Sequence, residues 1–253
     1  MKNLTKNNFI TKTLTSLTLT LIMFCVTSAS AEKKPRVLVF CKTAGFHHNS
    51  IAVGTTAIIK LGAENNFDVD TTTNSEMFTP ENLKNYKAVI FLNTTGNVLN
   101  DVQQAAFEKY IESGGNFVGV HAATDCEYDW PWYGNLVGAY FAAHPRQQEA
   151  SLNVTNRTHL STKHLPEVWK RKDEWYNFKW VANDLNVLIS IDEKSYDPGN
   201  AKMGNNHPMA WYHEYDGGRA FYTELGHTDE SYAEPLYLQH LLGGIKYALG
   251  VKK

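Results

Sequence analysis

The chain has 253 residues, 43% of them hydrophobic and 12% aromatic, with 24 basic against 26 acidic groups. That near-neutral balance argues against the basic surface that nucleic acid or an anionic membrane requires. Three cysteines are too few for a disulfide scaffold or a cysteine-rich zinc module.

The first residues read as an export leader. Lys2, Lys6 and Lys12 precede an apolar run from Leu14 to Val26, and Ala29-Ser30-Ala31 supplies a small-x-small cleavage pattern. No acidic residue occurs before Glu32. The expected organisation is a secretory signal over 1–31 and a single α/β domain over 32–253, placing the mature protein in the periplasm or outside the cell. A lipid-modified Cys25 is disfavoured by the bulky Phe24 before it. Losing the three leader lysines takes the 24 basic groups to 21 against 26 acids, a balance of −5. The remaining chain, about 220 residues, is enough for one well-buried domain. It holds no second apolar run of membrane-spanning length.

Arg36 to Cys41 is rich in Val and Leu and suits a parallel strand covered on both faces. A polar loop then carries His47 and His48, and Ser50 is placed to cap a helix from Ile51 to about Glu64. Phe67 to Thr72 reads as a strand towards a sheet edge, and Thr79-Pro80-Glu81 opens a short helical turn. Lys87 to Asn93 is a third strand, running out into Asn93-Thr94-Thr95-Gly96. A helix from Asn100 or Asp101 to about Ser113 is stopped by Gly114-Gly115. The fourth strand, Phe117 to Val120, ends abruptly at His121, followed by small residues and Asp125. This alternation calls for right-handed crossovers. We read it as an α/β flavodoxin-like three-layer sandwich, with a mostly parallel central sheet and helices on both faces.

Beyond Asp129 the texture changes. Trp130-Pro131-Trp132-Tyr133 is aromatic, Leu136 to Phe141 fits a short helix, and Gln148 to Thr155 alternates like an antiparallel or edge strand. His159 to Trp169 reads as a polar connection with a helical turn. A strand over 186–192 and a loop over 196–206 follow. Pro208 to Tyr215 and Arg219 to Thr223 then flank Asp216-Gly217-Gly218, a hairpin signal. The chain closes with a loop at Gly226-His227 and a helix from about Glu234 to Leu249.

Polar residues at the carboxyl edge of such a sheet are the candidate site. His121 with Asp125 forms either a general base and its orienting carboxylate, or a metal ligand and an outer acid. The plain alternative is an imidazole bonded to backbone where its strand ends. Glu174, beside Tyr176, is a third acid/base or ligand candidate, set against an ordinary charged loop residue. His207 and His227 could join His121 as metal ligands. His47, Asn93, Thr95, Trp130, Tyr176, His207, Trp211 and His227 are candidates for substrate contacts, the aromatic rings as stacking platforms for a sugar. About half of the aromatics after the fourth strand are expected to be core. His159, His164, His213 and His240 are taken as surface or structural residues. No Gly-x-Gly-x-x-Gly, phosphate loop or Gly-x-Ser-x-Gly elbow occurs, so no nucleotide cofactor is indicated. Cys41 and Cys126 are read as unpaired semi-buried thiols.

Gly-Gly-Asn-Phe-Val-Gly-Val-His-Ala-Ala-Thr-Asp from Gly114, Asp-Glu-Trp-Tyr-Asn-Phe from Asp173, His-Pro-Met-Ala-Trp from His207 and Gly-Arg-Ala-Phe-Tyr-Thr-Glu-Leu-Gly-His from Gly218 together resemble the ThuA-like (trehalose utilization) family. The resemblance runs from about Pro35 to Gly250. It implies a class I glutamine amidotransferase-like fold, in which His121 stands at the turn where an amidotransferase carries its cysteine nucleophile. Neither Cys41 nor Cys126 sits there, which argues against thiolate chemistry. The resemblance implies a small-molecule sugar as partner, a disaccharide or an oxidised 3-keto glycoside. The reaction would be glycoside or keto-sugar hydrolysis, lysis or isomerisation by His and carboxylate groups, with or without a divalent metal ion (Zn, Mn or Fe). A non-catalytic sugar-binding protein is the alternative.

Overall fold

Eleven strands and five α-helices follow one another in a computed structural model that describes Met1, residues 33–200 and residues 202–252. The leader expected over 1–31 lies outside the described residues, Met1 apart. In chain order the elements are β1 (Arg36–Phe40), α1 (Ile51–Glu64), β2 (Asp68–Thr72), α2 (Pro80–Leu83), β3 (Ala88–Leu92), α3 (Asp101–Glu112), β4 (Asn116–Val120) and α4 (Pro131–Val137). Then come β5 (Ala139–Ala143), β6 (Gln148–Val154), β7 (Val168–Asp173), β8 (Asn177–Val181), β9 (Asn186–Ile191), β10 (Pro208–Tyr215), β11 (Gly218–Thr223) and α5 (Pro235–Ala248).

Nine strands make one sheet in the order β2-β1-β3-β4-β11-β10-β9-β6-β7, and β5 pairs with β8 separately. The first five run parallel. β10, β9, β6 and β7 continue the sheet as an antiparallel wing. The parallel half has the strand order of a flavodoxin-like fold, with its reversal between β1 and β3. β1, β3 and β4 are short apolar runs buried almost throughout, as strands covered on both faces must be.

Register separates the helices into two layers. Phe117 of β4 packs against Phe107 of α3 and Tyr133 of α4. Phe221 of β11 is aligned with Val118, one residue along, so its ring emerges on the opposite face. There it meets His240 of α5. α1 joins α5 on that face, both against the short 3-10 turn Asp229–Ala233.

Three expectations are corrected. Ser50 does not cap α1 with its side chain; its hydroxyl donates to the Gly226 carbonyl oxygen and accepts from Asn93 Nδ2. The helix expected over Leu136 to Phe141 lies earlier, at Pro131–Val137. Gly138 ends it at φ 91°, a conformation that glycine adopts without strain. The polar connection expected over His159 to Trp169 gives way at Val168 to the strand β7. Its residues alternate between exposed and buried, with Lys170 and Lys172 facing out, so a charged edge strand resembled a loop.

Candidate active site

The parallel strands aim their carboxyl ends the same way. Thr223 of β11 is aligned with Val120 of β4, so Glu224 and His121 leave neighbouring strands side by side. Both His121 (φ 48°) and Asn93 (φ 51°) adopt left-handed backbone conformations where β4 and β3 end. A positive φ at a residue that carries a Cβ stores strain, and such strain collects at functional sites. Glu174 arrives from the end of β7, and His227 from the loop after β11.

Four side chains converge here. Ligand-type atoms of His48, His121, Glu174 and His227 all lie within 4.8 Å of one another. His121 Nε2 is 3.1 Å from His227 Nδ1 and 3.6 Å from Glu174 Oε2, and His227 Nδ1 is 3.1 Å from the same Oε2. The His48 ring meets His121 and His227 edge-on, with centroids 4.9 and 5.1 Å apart. His48, His121 and Glu174 are buried, and His227 is only partly exposed.

Tautomer follows from one contact. His121 Nδ1 lies 2.6 Å from the backbone carbonyl oxygen of Glu224, which can only accept. Nδ1 therefore carries a proton, which leaves Nε2 as the nitrogen that faces the cluster. An imidazole whose other N–H is fixed by a carbonyl is the arrangement found around metal-ligating histidines.

Electrostatics point the same way. Burial, reinforced by His121 and His227, pushes the His48 imidazole down to about 2, so it stays neutral and able to ligate. Its Nδ1 has no hydrogen-bond partner among the described residues. Burial would raise Glu174, but hydrogen bonds from His121 and His227, and their charge where the rings are protonated, hold its carboxyl well below the usual carboxylate range. Three neutral-capable imidazoles and one carboxylate are a donor set for a divalent transition ion.

A second set of groups holds the first. Asp173 is fully buried and accepts from the backbone N–H of Gly226 (3.0 Å), His227 (3.2 Å) and Glu174 (3.0 Å). Arg171, 3.1 Å away, balances its charge. One carboxylate thus fixes the loop bearing His227 against the residue bearing Glu174. Glu224 Oε1 accepts from the Tyr176 N–H at 3.0 Å. Burial, reinforced by Asp173, raises the Glu224 carboxyl far above its ordinary range, so it is a neutral acid. His144, at the exposed side, places Nδ1 3.2 Å from Glu174 Oε1.

The structure brings His121, Glu174 and His227 together, with Tyr176 packed 4.3 Å from the His121 ring. Other candidates are placed elsewhere. His207 is held away from the cluster, between Glu193 (2.9 Å) and the Tyr176 carbonyl oxygen (2.8 Å), and does not join the ligand set. Asp125 does not orient His121; it accepts from the Tyr128 hydroxyl at 2.7 Å, and burial raises its pKa. His47 is exposed and contacts Thr43, while its neighbour His48 turns inward. Trp211 is fully buried, with Nε1 on the Val137 carbonyl and its ring on Tyr222, so it is core rather than a sugar platform. Trp130 is likewise core, stacked on Trp132 and Tyr133 and bonded to Glu108. Asn93 bonds Ser50, and Thr95 fixes the 45–46 backbone: Gly45 N–H donates to its hydroxyl, which donates to the Phe46 carbonyl oxygen.

Sequence reasoning missed His48, Glu224 and Asp173 as parts of the site. The paired His47-His48 signal was visible, but which ring turns inward depends on the loop. Cys41 and Cys126 are both buried and free. Burial raises the Cys126 thiol well above its ordinary range, which leaves it a poor nucleophile. No described helix is long and apolar enough to cross a membrane.

The sequence pattern of the ThuA family, described as trehalose utilisation, matches residues 36–248. Among solved structures, a ThuA-like protein from Bacteroides uniformis is 27% identical, with TM-score 0.74, covering 89% of this chain and 96% of its own. Another from Parabacteroides merdae is 20% identical, with TM-score 0.69 and coverage of 87% and 93%. A β-galactosidase from Rahnella sp. R3, 14% identical with TM-score 0.57, covers 87% of this chain with 32% of its own and shares the fold alone. No curated protein matches.

Proposed function

This chain belongs to the ThuA family of trehalose utilisation, and from that premise we propose that it is an exported enzyme of carbohydrate utilisation in which His48, His121, Glu174 and His227 hold a divalent metal ion and the substrate is an oxidised, 3-keto glycoside. The observation that carries the reading is the convergence of those four ligand-type groups within 4.8 Å, with His121 Nε2 turned inward by the Glu224 carbonyl. A sugar-binding protein without catalysis has no need of a buried set of lone pairs on strained strand ends. Export rests on the leader at 1–31.

The ion would supply Lewis-acid polarisation of a keto oxygen, which eases loss of a proton from the neighbouring carbon. The protein's own groups would move that proton. His144 is the best placed, because its ring is partly exposed and its Nδ1 lies on the outward oxygen of Glu174.

The test is turnover of methyl 3-keto-glucoside by the metal-loaded protein, by the chelated protein, and by His121→Ala. Turnover that chelation and His121→Ala both abolish supports the reading. Turnover indifferent to chelation removes the metal from it, and binding without turnover in every preparation reduces the protein to a sugar-binding module.

A further inference from the structure

One cavity opens onto the donor cluster. It holds about 240 Å³ and shares His48 and His227 with the cluster, so whatever fills it reaches those two rings. Phe46, Gln147, Asp229 and Glu230 form the rest of the wall that matters here. Lys and Arg are missing from this lining, while two carboxylates are present.

Phe46 is 65% exposed. A lone exposed ring needs no explanation, but this one differs in two respects. Its backbone is fixed, since the buried Thr95 hydroxyl donates to the Phe46 carbonyl oxygen at 2.8 Å. Its ring also abuts His48 edge-on at 4.8 Å, so it stands directly over one wall of the donor cluster. His48 is itself 3% exposed and belongs both to the donor cluster and to the wall of the cavity, so Phe46 and the cluster meet through its ring.

Charge then selects among sugars. A divalent ion set against Glu174 leaves one net positive charge at the inner end. Asp229 and Glu230 at the exposed end reverse the sign of the cavity as a whole. An anionic substituent entering past those carboxylates meets repulsion, whereas hydroxyls find acceptors on them and on Gln147.

We infer that Phe46 is the stacking platform for the apolar face of the substrate ring, and that Asp229 and Glu230 restrict the site to neutral, unphosphorylated sugars. This rests on the sugar-enzyme reading above. It replaces the buried Trp130 and Trp211 as the aromatic contact. Phe46 is a specificity-determining residue; its ring touches His48 edge-on but offers no ligand atom to the cluster.

The experiment compares methyl 3-keto-glucoside with its 6-phosphate, by calorimetric binding and by KM, on the metal-loaded protein. Wild type should favour the neutral sugar by at least about tenfold. Phe46→Ala should weaken its binding by about tenfold, with bound metal unchanged. The double variant Asp229→Asn/Glu230→Gln should narrow the preference over the phosphate. Equal binding of the two sugars by wild type, or undiminished binding by Phe46→Ala, overturns the inference while leaving the enzyme reading intact. A metal-loaded wild type that binds neither sugar overturns the sugar reading and this inference with it.

Discussion

His121 Nδ1 sits 2.6 Å from the carbonyl oxygen of Glu224, a contact between residues 103 positions apart that β4 and β11 bring together by running parallel in register. It fixes the Nδ1–H of a strand-end histidine and turns its Nε2 toward three other ligand-type groups.

The adjacent pair His47 and His48 gives an internal control. His48→Ala removes a member of the donor set and should weaken metal affinity by at least about tenfold to a hundredfold, the scale reached even by residues behind the ligands. His47→Ala should leave it unchanged, because that ring is exposed and, among the described residues, bonds only Thr43. Metal competition titration reads both variants, and equal losses would contradict the assignment.

Glu224 should tolerate amide replacement. Its carboxyl is neutral and accepts from the Tyr176 N–H, and Gln retains both the acceptor and the shape. Glu224→Gln should therefore alter stability by less than about 1 kcal/mol, whereas Glu224→Ala leaves a buried N–H unpaired, at a cost of about 1–3 kcal/mol beyond the lost packing. Urea unfolding distinguishes them; a large loss in the Gln variant would mean that the carboxyl is ionised.

Trp211 and Trp130 should behave as core residues. Truncating Trp211 to Ala should destabilise the fold by about 3–5 kcal/mol, as for other large-to-small core changes. Its contacts are Tyr222, Phe178 and the Val137 carbonyl. Denaturation midpoints and sugar binding at low temperature separate stability from recognition. A folded variant that loses only sugar affinity would restore Trp211 to the site.

His240 makes stability depend on pH. Its Nδ1–H donates to the Ser161 carbonyl oxygen, its Nε2 accepts from Thr223, and burial lowers its pKa to about 3. The unfolded chain, with a value of about 6.5, takes up the proton first. The neutral ring's contribution is therefore complete above about 6.5 and is lost as pH falls towards 3, at up to about 1.4 kcal/mol per pH unit. His240→Leu should lower stability at pH 7 and flatten its fall between pH 6 and pH 4; an unchanged slope would contradict this.

Much of the parallel half was legible because its strands are short Val- and Ile-rich runs ending in polar residues, such as Ala88–Leu92 before Asn93. His121 was legible as a strand end, and Glu174 and His227 as ionisable residues in loops. Their partners were not. The group that fixes His121 lies across a strand pairing that sequence order does not reveal, whereas Asp125, four residues along, turns to Tyr128 instead. His207 looked like a ligand because it precedes a strand at the right edge, but the carboxylate of Glu193 captures it. The antiparallel wing was partly hidden for a related reason. A charged edge strand such as β7 carries the alternation of a strand under the composition of a loop.

The most direct measurement is elemental analysis of the protein purified without a histidine tag, alongside His121→Ala and Glu174→Gln. The arrangement predicts about one equivalent of a divalent transition metal per chain, lost in both variants while circular dichroism shows the fold retained. Wild-type protein that holds no metal above trace, even after incubation with Zn and Mn, would contradict a metal centre at His48, His121, Glu174 and His227.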